Sequence, residues 1–297
     1  SRASSALGWH FIIAFVKSLS CFPFKIRMVI GKVLGVLLRI MLPRRRKIVT
    51  ANLAYCFPKL SQPCRQALMK KHFASLGASL LEVGLAWRES WVKSPGSAYV
   101  VEGLNYLREA QGAGRGVLLL TGHFVHPDLM GVFLSRYCDY HAMVRPQKSA
   151  FLNDFAEKKR SYAQSVLYQH EQLKCCRLLK KGHMVAYFAD QDYGIKHSVF
   201  APFFGRPAAT VLATEKMASI SNAVVLPAFF FRDTKNQTYR LVFMPMLSPF
   251  PCADALSSAT AVNAVIEQAV RRYPEQYLWT HRRFKSRPEG ESPIYFE

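Results

Sequence analysis

From residue 99 onward the chain alternates short apolar runs with amphipathic stretches. The runs at 99–101, 116–120, 184–188, 223–231 and 239–244 are rich in Val, Leu and aromatic residues and too short for helices, so they predict strands. The stretches 104–110, 127–135, 150–166, 173–181, 208–219 and 259–272 repeat their apolar positions at helical spacing and predict helices. Strand and helix in alternation imply an α/β fold: a mixed, mainly parallel central sheet flanked by helices.

The first part of the chain follows another pattern. WHFIIAFVKSLSCFPFKIRMVIGKVLGVLLRIMLPRRRK is apolar but interrupted by Lys17, Lys25, Arg27, Lys32 and Arg39. It contains no run of about 18 uncharged residues, so a membrane-spanning helix is not expected. Residues 26–42 read as a helix that Pro43 stops, followed by the cationic block Arg44, Arg45, Arg46 and Lys47. A helix whose basic side chains snorkel from an apolar face suits the surface of an anionic bilayer. Residues 65–87 read as a further helix, and 94–97 as a Pro-Gly turn. The expected division is a basic, apolar, membrane-associating helical region, 1–60, ahead of an α/β domain, 61–297.

Charge sharpens that division. The 297 residues carry a formal net charge of +21, yet no acidic residue precedes Glu82, while fourteen Lys or Arg lie between Arg2 and Lys71. Folding does not require such an excess, so it points to acidic partners or an acidic surface. The seven cysteines are scattered and form no CxxC pair, which argues for free thiols in a reducing compartment rather than a disulfide framework or a zinc site.

The candidate chemistry lies in LLLTGHFVHPDLMG, 118–131. Thr121-Gly122 ends an apolar strand, so His123 falls at the strand's C-terminal end, where open α/β sheets bind ligands. Pro127 suits the first position of a helix, which sets Asp128 in its first turn. Asp128 is expected to bond one imidazole nitrogen of His123, fix the tautomer, and leave the other nitrogen as a general base. His126 is the competitor for that role. No Ser or Cys stands in an elbow beside it, so direct transfer to a substrate hydroxyl is favoured over a covalent intermediate.

GHFVHPD resembles the HxxxxD/E motif of the glycerolipid acyltransferase superfamily. RRRKIVTANLAYCFP (44–58), MVRP (143–146), AYFADQDYG (186–194), VFAPFFGRPAAT (199–210), VVLPAFFFR (224–232) and YPEQYLWTHRRFKSRP (273–288) narrow the likeness. In order and spacing they resemble the late, lauroyl/myristoyl, acyltransferases of lipid A biosynthesis, over about residues 9–288. Many members carry Glu where this chain has Asp128.

The resemblance implies an enzyme on the cytoplasmic face of the Gram-negative inner membrane. It would move an acyl chain from acyl carrier protein to the hydroxyl of a 3-hydroxyacyl chain on a lipid A precursor, without a cofactor or metal. Both substrates are acidic, in keeping with the charge. By the same resemblance Arg145 is a candidate for phosphate or oxyanion contact. Asp190, Gln191 and Asp192, which follow a strand, form a candidate polar cluster for the acceptor or Arg145. Gly205 would allow close approach and Arg206 hold a phosphate, although a turn packing Phe203 and Phe204 explains the same residues. Arg232 ends an apolar strand and is a further binding candidate. His281, Arg282 and Arg283 would extend an acidic-substrate surface. A phospholipid or other glycolipid acyltransferase would share the catalytic pair. A non-catalytic basic membrane or nucleic-acid binder accounts for the charge but leaves the His–Asp spacing unexplained, and no nucleic-acid motif is present.

Overall fold

A computed structural model of the chain describes residues 2–88, 90–91, 99–146 and 150–295. The turn expected at 94–97 lies outside them. Four helices come first: α1 (Arg2–Leu19), α2 (Phe24–Met41), α3 (Pro43–Cys56) and α4 (Gln62–Ala86). Ser61 caps α4, its hydroxyl accepting the Cys64 N–H at 3.4 Å, and Pro63 lies in the first turn, where a missing N–H costs nothing. Pro43 does not merely stop α2. It starts α3, so the cationic block occupies the first turn of a new helix. Cations at that end oppose the helix dipole, so the block is not there to stabilise the helix.

Helices α2 and α4 cross at a contact made of glycine. A Cβ on Gly35 would sit 2.4 Å from the Phe73 carbonyl oxygen, and one on Gly77 would sit 2.1 Å from that of Gly31. Only backbone fits there. With one face of α2 pressed to α4, Val29, Val33, Val36 and Ile40 are left on the other, each about half exposed or more. Among the described residues no helix is long and apolar enough to cross a membrane.

Among the described residues the sheet has seven strands: β1 (Tyr99–Glu102), β2 (Val117–Thr121), β3 (His141–Val144), β4 (Ser165–Tyr168), β5 (Met184–Phe188), β8 (Val224–Asp233) and β9 (Thr238–Phe243). Their order is β1-β9-β8-β2-β5-β3-β4, and only the β8–β9 pair is antiparallel. Central β2 and β8 are buried along their whole length, as the unbroken apolar runs require of parallel strands covered on both faces. Helices α5 (Leu104–Gly112), α6 (Pro127–Leu134), α7 (Ala150–Lys159), α8 (Gln172–Lys180), α9 (Ala213–Ser221) and α10 (Ala255–Arg272) complete the mixed α/β layers.

Two expected helices were too long. The one expected over 150–166 stops at Lys159, and Ser165–Tyr168 becomes edge strand β4 beside β3. The one expected over 208–219 begins only at Ala213, because residues before it pair in a hairpin, β6 (Ser198–Phe203) with β7 (Arg206–Val211). Alanines suggested a helix there; Pro207 and cross-strand pairing override them.

Candidate active site

Strands β2 and β5 run parallel with Thr121 opposite Phe188. Two residues further on, past both strand ends, His123 meets Asp190. The imidazole Nδ1 lies 2.5 Å from Asp190 Oδ1, and the His123 backbone N–H donates to Oδ2 at 2.8 Å. Asp190 is 3% exposed. Burial alone would raise its pKa. The His123 charge and hydrogen bonds from His123 and Tyr277 outweigh burial and hold it well below the carboxylate range. An ionised carboxylate only accepts, so Nδ1 carries a proton, and in the neutral ring the lone pair is then on Nε2. Nε2 meets the Gln191 side-chain amide at 3.0 Å. The ring rests on Phe188, centroids 4.7 Å apart, and beside His281 at 5.4 Å.

The segment after α10 straps this loop in place. Leu278 N–H donates to the His123 carbonyl at 2.8 Å, and Val125 N–H to the Gln276 carbonyl at 3.0 Å. Trp279, in the same segment, is fully buried, and Asn52 of α3 donates to its carbonyl and to that of His281. The basic N-terminal helices and the His123 loop are thus tied through residues 276–281.

The carboxylate expected to orient His123 was Asp128; the structure gives that contact to Asp190. Asp128 does sit in the first turn of α6, but its Oδ1 accepts from Arg160 Nε at 3.1 Å and from the Tyr162 hydroxyl at 3.2 Å. The reason is direction: α6 carries Asp128 toward the end of α7, whereas the parallel register of β2 and β5 brings Asp190 under the imidazole. Asp128 still belongs to the site. A cavity of about 360 Å³ is lined by His123, Asp128, Arg145, Gln191 and His281, among others, with Met130, Leu134, Ala142 and Val144 on its apolar part. Arg145 follows β3 directly and is exposed at the cavity. His126, the competing base, does not line it. It is buried, and Nε2 lies 2.8 Å from Gln276 Oε1. Burial, the largest influence, pushes its pKa down to about 4.

Four other candidates do not line this cavity. Asp192 is engaged by Ser286, whose N–H and hydroxyl donate to it at 2.6 and 2.9 Å, and by the Gly194 N–H. Gly205 serves the β6–β7 turn: with Phe204 at φ 53° and Gly205 at φ 69°, it is the two-residue reversal that hairpins favour. Arg206 donates to the Tyr55 carbonyl and stacks over the Tyr55 ring. Arg232 is 3% exposed, with Nε and Nη2 on the two Glu82 oxygens and Nη1 on the Ser75 hydroxyl. Its donors are committed to α4, so it is not free to bind a substrate. Of the basic residues expected near the C-terminus, Arg283 is likewise buried, donating to the Ala209 carbonyl and Thr210. His281 does reach the cavity; burial, then the neighbouring His123 charge, lower its pKa to about 4.

Sequence reading missed Arg160 and Tyr162, which no spacing tied to Asp128, and Gln276, whose amide joins His126 to the β8 backbone. It also missed the Asp190–His123 bond, although its signal was present: two polar residues just past the ends of two apolar strands.

A histidine at a strand end, a buried carboxylate behind it and a partly apolar cavity in front make up the geometry of the candidate site. Comparison with known proteins specifies the class. Residues 2–286 match the family described as bacterial lipid A biosynthesis acyltransferase, and the chain belongs to that family. It is 35% identical to the lipid A biosynthesis palmitoleoyltransferase of Escherichia coli K12, over 92% of this chain and 89% of that protein. It is 34% identical to the lauroyltransferase of the same organism, over 90% and 88%. A solved 1-acyl-sn-glycerophosphate acyltransferase from Thermotoga maritima aligns at 11% identity and a TM-score of 0.40, covering 84% of this chain and 98% of that one.

Proposed function

We propose that the protein transfers a fatty acyl chain from acyl carrier protein to the hydroxyl of a 3-hydroxyacyl chain on a lipid A precursor. The observation that carries this reading is the orientation of His123, with Nδ1 on buried Asp190 and Nε2 toward the cavity. In this mechanism the acceptor hydroxyl gives its proton to Nε2 as its oxygen attacks the thioester carbonyl. Asp190 stabilises the imidazolium and fixes its direction. The C–S bond then breaks and the proton passes from Nε2 to the departing thiolate. Arg145, at the same cavity, is assigned to the oxyanion or to an acceptor phosphate. Asp128 holds Arg160 and Tyr162 as one wall of the cavity.

The helices of 1–60 are assigned to the cytoplasmic face of the inner membrane, where the acceptor resides. Supporting this are the exposed Val29, Val33, Val36 and Ile40 alongside Lys25, Lys32 and Arg39 on α2, and the cationic first turn of α3. Apolar side chains and basic heads on one helix match a peripheral helix at an anionic interface.

The test is incubation of the purified protein with an acyl-acyl carrier protein and a tetra- or penta-acylated lipid A precursor. Mass spectrometry should find one added acyl chain, absent with His123→Ala. Transfer only to a glycerolipid acceptor would keep the mechanism and change the substrate. No His123-dependent transfer with any acceptor would refute the reading.

A further inference from the structure

We propose that Gln191 is a guard on the general base, a positioning residue that holds His123 Nε2 until the acceptor hydroxyl displaces it. The proposal rests on the reading of His123 as that base. The Gln191 amide occupies the Nε2 lone pair at 3.0 Å, the place where a hydroxyl must bind to lose its proton. It is held there from the solvent side. Its Oε1 accepts from the Tyr193 hydroxyl at 3.2 Å, and that hydroxyl accepts from the Gln169 amide at 2.6 Å. Gln169 and Gln191 both line the cavity, and Tyr193 is 44% exposed.

The backbone on either side is pinned. Asp190 is locked to His123, and Asp192 to Ser286 and Gly194. Displacement therefore needs only a side-chain rotation of Gln191. A neutral hydrogen bond of this kind is weak enough for an incoming hydroxyl to replace. The two possible nucleophiles do not replace it equally. An acceptor hydroxyl is delivered by a large bound molecule, whose binding energy offsets the displaced contact. Water brings no such energy.

The guarded side reaction is hydrolysis. Water would give one proton to Nε2 and its oxygen to the thioester carbonyl. The C–S bond would break, the proton would pass to the thiolate, and a free fatty acid would leave. Gln191 thus biases a base that can activate either nucleophile toward transfer.

Fatty acid release from acyl-acyl carrier protein, measured without acceptor, tests this beside transfer at saturating acceptor. Gln191→Ala should raise acceptor-independent hydrolysis relative to transfer roughly two- to tenfold, the worth of one neutral hydrogen bond. Tyr193→Phe should move the ratio the same way by less, and His123→Ala should abolish hydrolysis in the Gln191→Ala background. An unchanged ratio, or a proportional loss of both reactions, would overturn the guard role. The ¹⁵N resonance of His123 Nε2 supplies a readout free of substrate. It should shift in Gln191→Ala, and an unmoved resonance also overturns the proposal. Wild type with neither reaction would instead sink the acyl-transfer reading, leaving the resonance to judge the contact.

Discussion

Asp190 accepts from both the backbone N–H and the imidazole of His123, from the neighbouring strand end and sixty-seven residues away in sequence. Two contacts to one buried carboxylate fix the loop and the ring together. Asp190→Asn should keep the shape but can place an amide N–H against Nδ1, favouring the wrong tautomer. Turnover should fall by roughly 10³–10⁴, measured as kcat with folding checked by circular dichroism.

Asp128 is bound differently, and its variants should behave differently. Asp128→Asn leaves an acceptor for Tyr162 and should cost less than Asp190→Asn. Asp128→Ala strips the partner from largely buried Arg160 and should cost more than Asp128→Asn. If Asp128→Asn were as damaging as Asp190→Asn, orientation of the base would return to Asp128.

The Arg232–Glu82 pair is a fully buried ion pair between β8 and α4. Burial would raise the Glu82 pKa, but Arg232 lowers it below the usual range. Glu82→Gln leaves the guanidinium without its counter-charge and should destabilise the protein by about 3–5 kcal/mol, read from urea unfolding. KM of the folded fraction should be unaltered, since Arg232 faces α4 and not the cavity.

Acid should unfold the protein earlier than its carboxylates alone require. Burial pushes His72 and His126 down to about 4 each. Their unfolded values lie near 6.5, so between about 4 and 6.5 the unfolded chain binds more protons. The stability they contribute is present above about pH 6.5 and is lost as pH falls toward 4. Urea midpoints should decline over that window, and His72→Gln should flatten the decline. A midpoint constant from pH 6.5 to 4.5 would contradict these neutral buried histidines.

The cationic block divides by partner. Arg45 donates to the Thr280 carbonyl next to His281, at 3.1 Å, so Arg45→Gln should lower activity even in detergent. Arg44→Gln with Arg46→Gln should weaken sedimentation with anionic vesicles, by roughly 1 kcal/mol per residue, and leave detergent activity near normal. Equal detergent losses in both variants would place the whole block in the fold or the site.

The sequence by itself determined the layers of this protein and the placing of His123 past a strand end. Apolar runs of five residues cannot form stable helices, so β2 and β5 were legible. A glycine after such a run put His123 at the C-terminal edge of the sheet. The uncompensated cations before Glu82 marked the N-terminal helices before any contact was known. Tertiary structure alone decided which carboxylate serves His123, because that depends on which strand lies beside β2 and in what register. It also decided that Arg232 and Arg283 are buried braces, that Arg206 stacks on Tyr55, and that residues 276–281 strap the site. A side chain's partner across a sheet is set by packing between segments far apart in sequence, and local periodicity carries no record of it.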